Sequence, residues 1–280
     1  MKGRITAILV AAALIILGAA IAVVSLSQVG WDFSRQSTVK MREVTHLMEA
    51  PFQSIEVDVT TADIHVFRSP DDICRVHTYE QELLPIRVAV ENGCLQIRQE
   101  DTREWYDHIG IFTQNSKVEI ALPGAAYEIL RLELTTGDVL ISEDLQFRSV
   151  TVDLTTGDVD SQAQVTELLG VHATTGDVRV AAGASEADLI IRLTTGDITV
   201  QDTVCRSMTL KATTGDMQLE LCDAGTIQAQ STTGDFSAML LSPKEFRAST
   251  TTGDVRVPDD GPGGVCAVQT TTGDITIYIQ

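Results

Sequence analysis

The sequence predicts an all-β protein: a parallel β-solenoid (β-helix-like) of 19–20-residue coils, preceded by one N-terminal transmembrane helix. Three observations lead to this prediction. A tetrapeptide recurs at almost constant spacing, apolar columns repeat in phase with it, and a long uncharged run lies near the start of the chain. A short, regular period is typical of a solenoid, in which each coil needs its neighbours to bury its apolar face.

The tetrapeptide is Thr-Thr-Gly-Asp, which occurs eight times with glycine-to-glycine gaps of 20, 19, 20, 19, 19, 19 and 20 residues. Its glycines are Gly137, Gly157, Gly176, Gly196, Gly215, Gly234, Gly253 and Gly273. Its first threonines, Thr135, Thr155, Thr174, Thr194, Thr213, Thr232, Thr251 and Thr271, are expected to form an outward row. Gly allows a positive φ and Asp accepts backbone hydrogen bonds, so we interpret each tetrapeptide as a structural turn between two strands.

Apolar residues fill the positions seven and five before each glycine and two after it, without exception. Within a repeat they recur at every second residue, which is the period of a strand with one buried face. The phase reverses across the tetrapeptide, and this predicts a turn there. Because every repeat has the same phase, we expect the coils to stack in parallel and in register, coil on coil, at roughly 4.8 Å per coil.

The start of the chain predicts a membrane anchor. Residues 1–4 form a basic cytoplasmic tip, and residues 5–26 are uncharged and long enough to cross a bilayer. The basic residues precede this transmembrane signal-anchor, so the N-terminus is predicted to be cytoplasmic and the rest extracytoplasmic. A cleaved signal peptide, processed near Ala20–Ala22, is the alternative. Residues 27–50 are polar and are interpreted as a stalk or a short helix.

Residues 51–130 are interpreted as an irregular N-terminal cap, and residues 131–280 as the regular solenoid. The cap contains a degenerate repeat, Thr60-Thr61-Ala62-Asp63, with Ala in the place of Gly. A hairpin is expected from Ile86 to Arg98, turning at Asn92-Gly93. A loop with Trp105, Tyr106 and His108 either caps the open end of the solenoid or contacts a ligand.

The segments PFQSIEVDVTTADIHV, LQIRQE and VEIALPG, followed by serial LTTGDV coils, resemble the DUF4097 family over roughly residues 45–280. Members of this family are called toast-rack proteins or proposed adhesins. The resemblance implies a right-handed parallel β-solenoid displayed outside a bacterial membrane, close to cell-envelope stress systems. The family offers no settled catalytic residues to transfer.

The chain is acidic, with a net charge of −19, which argues against nucleic-acid binding because phosphate contacts need a basic surface. The solenoid also predicts a column of carboxylates about 5 Å apart. Its members are Asp138, Asp158, Asp177, Asp197, Asp216, Asp235, Asp254 and Asp274. A calcium-binding edge is one hypothesis for this column, and turn capping without any metal is the other. No other cofactor is expected.

The five cysteines do not make a disulfide framework, although Cys74 and Cys94 could pair within the cap. His172 is the one histidine of the regular coils and is expected to face solvent without a nucleophile beside it. His46, His65 and His77 lack metal-ligand spacing. We therefore expect no enzymatic activity.

Two hypotheses for the function remain open at this point. The first is an accessory or sensor of a membrane complex in cell-envelope stress, with a membrane-protein partner. The second is an adhesin or a module that binds cell wall or glycan, with a cell-surface ligand. The membrane, through the N-terminal helix, is a partner in both. An acidic corner edge or the Trp105–His108 loop would provide the contact surface.

Overall fold

The computed structural model describes residues 40–102, 116–182 and 186–280. Residues 41–102 and 115–280 group into one compact unit. The predicted anchor at 5–26 and the predicted contact residues Trp105, Tyr106 and His108 lie outside the described residues. Within the described ranges the chain is all-β, and no helix there is both long and apolar enough to span a membrane.

The first six strands form the N-terminal cap. They are β1 (Met41–Met48), β2 (Ser54–Arg68), β3 (Cys74–Gln81), β4 (Ile86–Glu91), β5 (Cys94–Gln99) and β6 (Ser116–Leu122). β1, β3 and β6 pair antiparallel in that order, and β6 then pairs parallel with β2 in what we call sheet A. β4 and β5 form an antiparallel hairpin, and β5 pairs parallel with β2 in sheet B.

The remaining strands build the coils. They are β7 (Ala126–Thr136), β8 (Val139–Ile141), β9 (Gln146–Thr156), β10 (Val159–Ser161), β11 (Gln164–Thr175), β12 (Val178–Val180), β13 (Asp188–Thr195), β14 (Ile198–Gln201), β15 (Val204–Thr214), β16 (Met217–Gln230), β17 (Phe236–Leu240), β18 (Glu245–Thr252), β19 (Val255–Arg256), β20 (Val265–Thr272) and β21 (Ile275–Ile279). A typical coil has one long strand in sheet B, a corner at the tetrapeptide, and one short strand in sheet A.

The coils stack in parallel and in register, as predicted. Val152 pairs with Val171, and Val171 pairs with Ile191, so the position five before each glycine forms one column. The side chains of these three residues are fully buried. The apolar columns from sheets A and B meet in a single continuous core. Each fully buried aliphatic side chain contributes about 1.5–3 kcal/mol, so the columns supply the main driving force for stacking.

The degenerate repeat of the cap is the first coil of the stack. In β2, Thr61 pairs with Thr136 and Ile64 pairs with Val139, which is the register of a regular coil. The predicted hairpin is also confirmed, since Asn92 and Gly93 both have positive φ between β4 and β5. The boundary of the stalk differs from the prediction. Residues 41–48 form strand β1, whose backbone pairs with β3.

The last two coils stack in an order that the sequence did not predict. We expected the coils to follow one another along the axis as they do along the chain. Instead, β20 pairs with β16 on one side and with β18 on the other, and β21 lies between β17 and β19 in the same way. The coil of Gly273 is therefore inserted between the coils of Gly234 and Gly253. Because all coils carry the same columns, this order keeps every column in register.

After β17 the chain passes over one coil position to form β18, and it then returns to place β20 in the gap. A buried lysine stabilises this crossing of the chain. Lys244 is only 1% exposed, and its Nζ donates to Ser242 Oγ at 2.9 Å and to Gly263 O at 2.6 Å. It also forms an ion pair with Asp223 of β16. These contacts tie the start of β18 to the loop that returns into β20. A buried ammonium requires such partners, because an unpaired one would be strongly destabilising.

Glycine is required at the corner for two reasons. The corner glycines have φ between 129° and 142°, a region that L-residues rarely adopt. A Cβ at Gly196 would also lie 2.1 Å from the carbonyl oxygen of Gly176 in the preceding coil. The coils could then stack only by moving apart. Each tetrapeptide glycine thus lies at a positive-φ corner, where the absence of a Cβ permits the close approach of the adjacent coil.

The five cysteines are free thiols. The considered pairing of Cys74 with Cys94 is not formed, and the two residues lie in β3 of sheet A and β5 of sheet B. Burial raises the pKa of Cys74 and Cys222 to about 11, and that of Cys205 and Cys266 to about 12. Cys94 is the one half-buried cysteine, and burial raises its pKa as well.

We expect Gly196→Ala to lower the free energy of unfolding by about 2–5 kcal/mol, since it adds both backbone strain and an overlap with a carbonyl. Gly170→Ala is the matched control, because its Cβ would lie 4.0 Å from the nearest atom, the carbonyl oxygen of Val150. Urea unfolding followed by circular dichroism measures both. Equal stability of the two variants would contradict the assigned role of the corner glycine.

Iodoacetamide at pH 8 should modify Cys94 well before the other four thiols in the folded protein. The thiolate is the reactive form, and a buried thiol with a raised pKa is almost fully protonated at this pH. Peptide mass spectrometry after timed labelling identifies the modified residues, and labelling in guanidinium chloride should modify all five. Fast native labelling of Cys266 would show that the core columns are open.

Candidate functional site

The predicted column of carboxylates exists and forms a hydrogen-bonded ladder along the corner edge. The Asp197 amide donates to Asp177 Oδ1 at 2.9 Å, and the Asp216 amide donates to Asp197 Oδ1 at 2.8 Å. The ladder begins at Asp63 of the cap, whose Oδ1 accepts from the Asp138 amide at 3.1 Å. Each side chain therefore joins two successive coils.

The hydrogen bonds of the ladder follow the spatial order of the coils, including the inserted coil of Gly273. The Asp274 amide donates to Asp235 Oδ1 at 2.7 Å, and the Asp254 amide donates to Asp274 Oδ1 at 2.8 Å. The carboxylates are exposed, apart from the half-buried Asp63. One oxygen of each of them accepts a backbone hydrogen bond, except at Asp254 at the end of the ladder. No cluster of three or more potential metal ligands occurs among the described residues. Turn capping thus gives the column a structural explanation that needs no cation.

A second feature lies on the outer face of sheet B, where two rows of side chains border an open groove of about 930 Å³. We call it the side groove. One wall is the threonine row, which in the groove comprises Thr60, Thr135, Thr155, Thr174, Thr194, Thr213 and Thr232. The other wall is the charged row, four positions before each corner glycine or, in the cap, before Ala62: Asp58, Glu133, Asp153, His172, Arg192, Lys211 and Gln230. Seven coils at about 4.8 Å make the groove about 29 Å long.

The pleat of the strands explains why these two rows face each other. Residues two apart in a strand point to the same face, so the positions four and two before the glycine both point outward. The position between them, such as Leu193, points into the core and is buried. Its backbone forms the floor of the side groove. The register of sheet B then repeats this arrangement from coil to coil.

The charged row changes sign along the axis of the solenoid. Asp58, Glu133 and Asp153 are acidic, and Glu133 is neutralised in part by Nε of Arg131 at 2.6 Å from its Oε1. Arg192 and Lys211 are basic and lie opposite each other on β13 and β15. The side groove thus has an acidic half near the cap and a basic segment near the middle of the stack.

His172 lies where the sign changes and makes two hydrogen bonds. Its Nδ1 lies 3.1 Å from Asp153 Oδ1, and its Nε2 lies 2.9 Å from Arg192 Nη1. A guanidinium group can only donate, so Nε2 accepts, and Nδ1 of this neutral ring carries the proton that Asp153 accepts. His172 therefore links the acidic half to the basic segment. The sequence predicted a solvent-facing ring without a nucleophile beside it, and did not predict these two bonds.

The charged row was not predicted from the sequence. The signal was present, because the residues four before each glycine read Glu, Asp, His, Arg, Lys and Gln from Glu133 to Gln230. The residue type at this position differs from coil to coil, as it does at other outward positions, so no constant residue marks the row. Of the other histidines, His65 bonds to Ser142 Oγ at 3.3 Å and His77 to Thr45 Oγ1 at 2.9 Å. They are not brought together with the side groove.

The fold and the ladder define a class of protein: an all-β repeat protein with parallel, in-register coils and exposed polar walls. The sequence matches the DUF4097 family, described as Toastrack, over residues 52–278. The chain therefore belongs to the DUF4097 family. It matches none of the curated proteins with which it was compared.

Three solved structures illustrate the likeness. A proposed lipid-binding protein from Parabacteroides distasonis ATCC 8503 has a TM-score of 0.54 at 14% identity, covering 86% of this chain and 96% of that one. A proposed adhesin from Bacteroides fragilis NCTC 9343 gives 0.41 at 17% identity, with 85% and 97% covered. A proposed cell-adhesion protein from Clostridium sporogenes ATCC 15579 gives 0.35 at 10%, with 86% and 100% covered. At these identities only the fold is shared, and only the first TM-score supports it.

For the ladder, we expect Asp197→Ala to lower the free energy of unfolding by about 0.5–1.5 kcal/mol, because the Asp216 amide loses its acceptor. Asp197→Asn keeps an Oδ1 acceptor and removes one of several neighbouring negative charges, so it should stay within about 0.5 kcal/mol of the parent chain. Thermal unfolding in metal-free buffer compares the two. An equal loss for Asn and Ala would contradict capping by the Asp197 side chain, and stabilisation of the parent chain by added calcium would favour the calcium-binding edge instead.

Proposed function

We propose that this chain is a non-catalytic recognition module of the adhesin type, displayed outside the cell membrane, that binds an extended ligand along the side groove. The observation that carries the proposal is the side groove itself, which runs over seven coils and is open to solvent. Its walls offer hydroxyl groups, carboxylates and cations at regular spacing. A ligand that spans several coils would contact the same wall chemistry repeatedly.

The local chemistry favours binding over catalysis. Asp153 and His172 have the geometry of an orienting carboxylate and a base, but Nε2 of His172 is already bonded to Arg192. A general base needs that nitrogen free, within hydrogen-bond reach of the group it deprotonates. The stacked threonines share the groove with carboxylates and His172, but among the described groove residues no histidine has a free ring nitrogen. Recognition by arrays of weak polar contacts is the use that fits these walls.

The polar walls also bear on the ligand class. A structural neighbour from Parabacteroides distasonis is a proposed lipid-binding protein. A lipid tail requires an apolar cleft, whereas the side groove is lined by threonine and charged side chains. We therefore place an extended polar ligand, such as a surface glycan, ahead of a lipid.

A second candidate function rests on the predicted anchor at 5–26. Such an anchor would fix the solenoid at the outer face of the membrane, within reach of other membrane proteins. In that case the chain acts as a sensor or accessory of a membrane complex in cell-envelope stress. Its exposed Asp ladder at the corner edge, which bears negative charge, would then meet a basic partner surface.

Photo-cross-linking in the producing cells separates these functions. A benzoylphenylalanine replaces Thr194 in the side groove or, as the control, the exposed Gln218 on sheet A. We expect capture of a polar surface ligand from Thr194 and none from Gln218. Specific capture of membrane proteins, above all after a cell-wall antibiotic, would support the sensor function. Equal capture from both positions would contradict binding in the side groove.

A further inference from the structure

The cations of the regular coils show an uneven pattern of pairing. Residues 131–280 contain 9 basic residues. Six of them form ion pairs with carboxylates: Arg131, Arg148, Arg206, Lys244, Arg247 and Arg256. Of the other three, Arg179 bonds to the side chain of Gln201 and Arg192 to that of His172. Lys211 pairs with no carboxylate among the described residues.

Two of these three cations lie side by side in the side groove. Arg192 of β13 and Lys211 of β15 are directly opposite residues in the parallel ladder, and both are exposed. Like charges at opposite positions of neighbouring strands destabilise a sheet. In a chain with a net charge of −19, a carboxylate partner would be easy to supply. Arg131 has one in Glu133 of its own strand, and Arg206 has one in Asp188 of the preceding coil. The fold does not explain why this pair lacks one.

We propose that Arg192 and Lys211 form the anion-binding subsite of the side groove, and that its ligand is an acidic linear glycan whose anionic group lies between the two cations. An anion in this position removes their mutual repulsion and accepts charge-assisted hydrogen bonds from both. This inference rests on the proposed binding in the side groove and gives that function a ligand class. A carboxylate and a phosphate share the required chemistry.

The opposite wall suits the hydroxyl groups of such a glycan. Thr194 and Thr213 belong to the same two coils as the cations, and their exposed side chains border the groove. A threonine hydroxyl both donates and accepts, so it can bond to a sugar hydroxyl in either role. The residues that line the groove include no phenylalanine, tyrosine or tryptophan. Charge and hydroxyl contacts therefore take the place of stacking on aromatic rings.

A peptide fits this surface less well than a glycan. Extended peptides bind to sheets mainly by adding a strand to an unpaired edge. At the side groove, β13 is paired with β11 on one side and with β15 on the other, so no sheet edge is available. A ligand must be recognised there by side chains alone. A glycan is suited to this, because its polar groups point outward along its whole length.

The acidic half of the groove limits where the anion can lie. Asp58, Glu133 and Asp153 would repel a second negative charge placed toward the cap. Further negative charges of the ligand must therefore lie away from the cap, toward the uncharged Gln230, and a short oligomer is the appropriate probe. Because the subsite is exposed, added salt should weaken binding.

Isothermal titration calorimetry of the full chain in a neutral detergent, at low ionic strength, tests the inference. The probes are trigalacturonic acid, its fully methyl-esterified form and a glycerol phosphate trimer, whose phosphates represent those of a phosphate-bearing glycan. The variants are Arg192→Gln and Lys211→Gln, with Arg179→Gln as the matched control, since it removes an equally unpaired cation from sheet A. Melting temperatures verify that all variants are folded.

We expect at least one anionic trimer to bind, and to bind roughly threefold to tenfold more weakly to each groove variant but not to Arg179→Gln. Preference for the uronate or for the phosphate trimer identifies the source of the anion. No binding of either anionic trimer, or equal weakening by Arg179→Gln, would overturn the inference. A third outcome is that the esterified trimer binds as tightly as the anionic one and that Lys211→Gln leaves this binding unchanged. This result would overturn the anionic ligand class alone. The proposed function would then stand, with a neutral glycan in the groove.

Discussion

The corner of each coil depends on one hydrogen bond, from the backbone amide of an Asp to the side chain of the Asp in the preceding coil. The amides on either side of it point the other way. Gly157 N–H donates to Thr175 O and Val159 N–H to Asp177 O, both in the following coil. The amide of Asp158 is left facing the preceding coil, where Asp138 Oδ1 accepts it at 2.9 Å. Without that side chain the amide would lack a protein partner.

Glycine and aspartate at the corner therefore serve one constraint, the spacing of the coils. Because the glycine has no Cβ, the carbonyl group of the preceding coil can occupy the space that a Cβ would need. At this spacing the aspartate side chain of the preceding coil reaches the Asp amide that points toward it. Every coil must satisfy the same geometry, so the tetrapeptide repeats while loop lengths vary by one residue. The apolar columns drive stacking, and the corner fixes its register.

Much of this architecture could be predicted from the sequence, since columns and turn chemistry are local and repeat many times. The order of the last two coils could not, because identical columns fit in any order. The physical signs of the insertion are a lysine at a buried position, Lys244, and the glycine-rich loop that ends at Gly264. Gly264 has φ of 105°, and a Cβ there would lie 2.1 Å from Gly225 O. Such features can be interpreted only when the neighbouring segments of the same chain are known.

The candidate site could likewise be predicted from the sequence only in part. The Asp column was predictable because each member repeats the same role. The side groove was not, because its charged row differs from coil to coil, and variation in a single column of one sequence looks like ordinary surface change. Only the register of β9, β11, β13 and β15 shows that their outward residues Asp153, His172, Arg192 and Lys211 are neighbours. Constant columns hold the solenoid together, while the varying column gives one stretch of it a distinct charge.

Amide hydrogen exchange measured by NMR tests the central claim, that the corner amides are bonded from coil to coil. The account predicts slow exchange for the Asp amides from Asp138 to Asp274 and for the corner glycine amides, which donate to the next coil. Gly253 is the internal control, since it lies in the last coil of the stack and its amide has no acceptor among the described residues. It should exchange fast. Fast exchange at the Asp amides, or protection of Gly253 equal to that of Gly273, would contradict the ladder and the order of coils on which it depends.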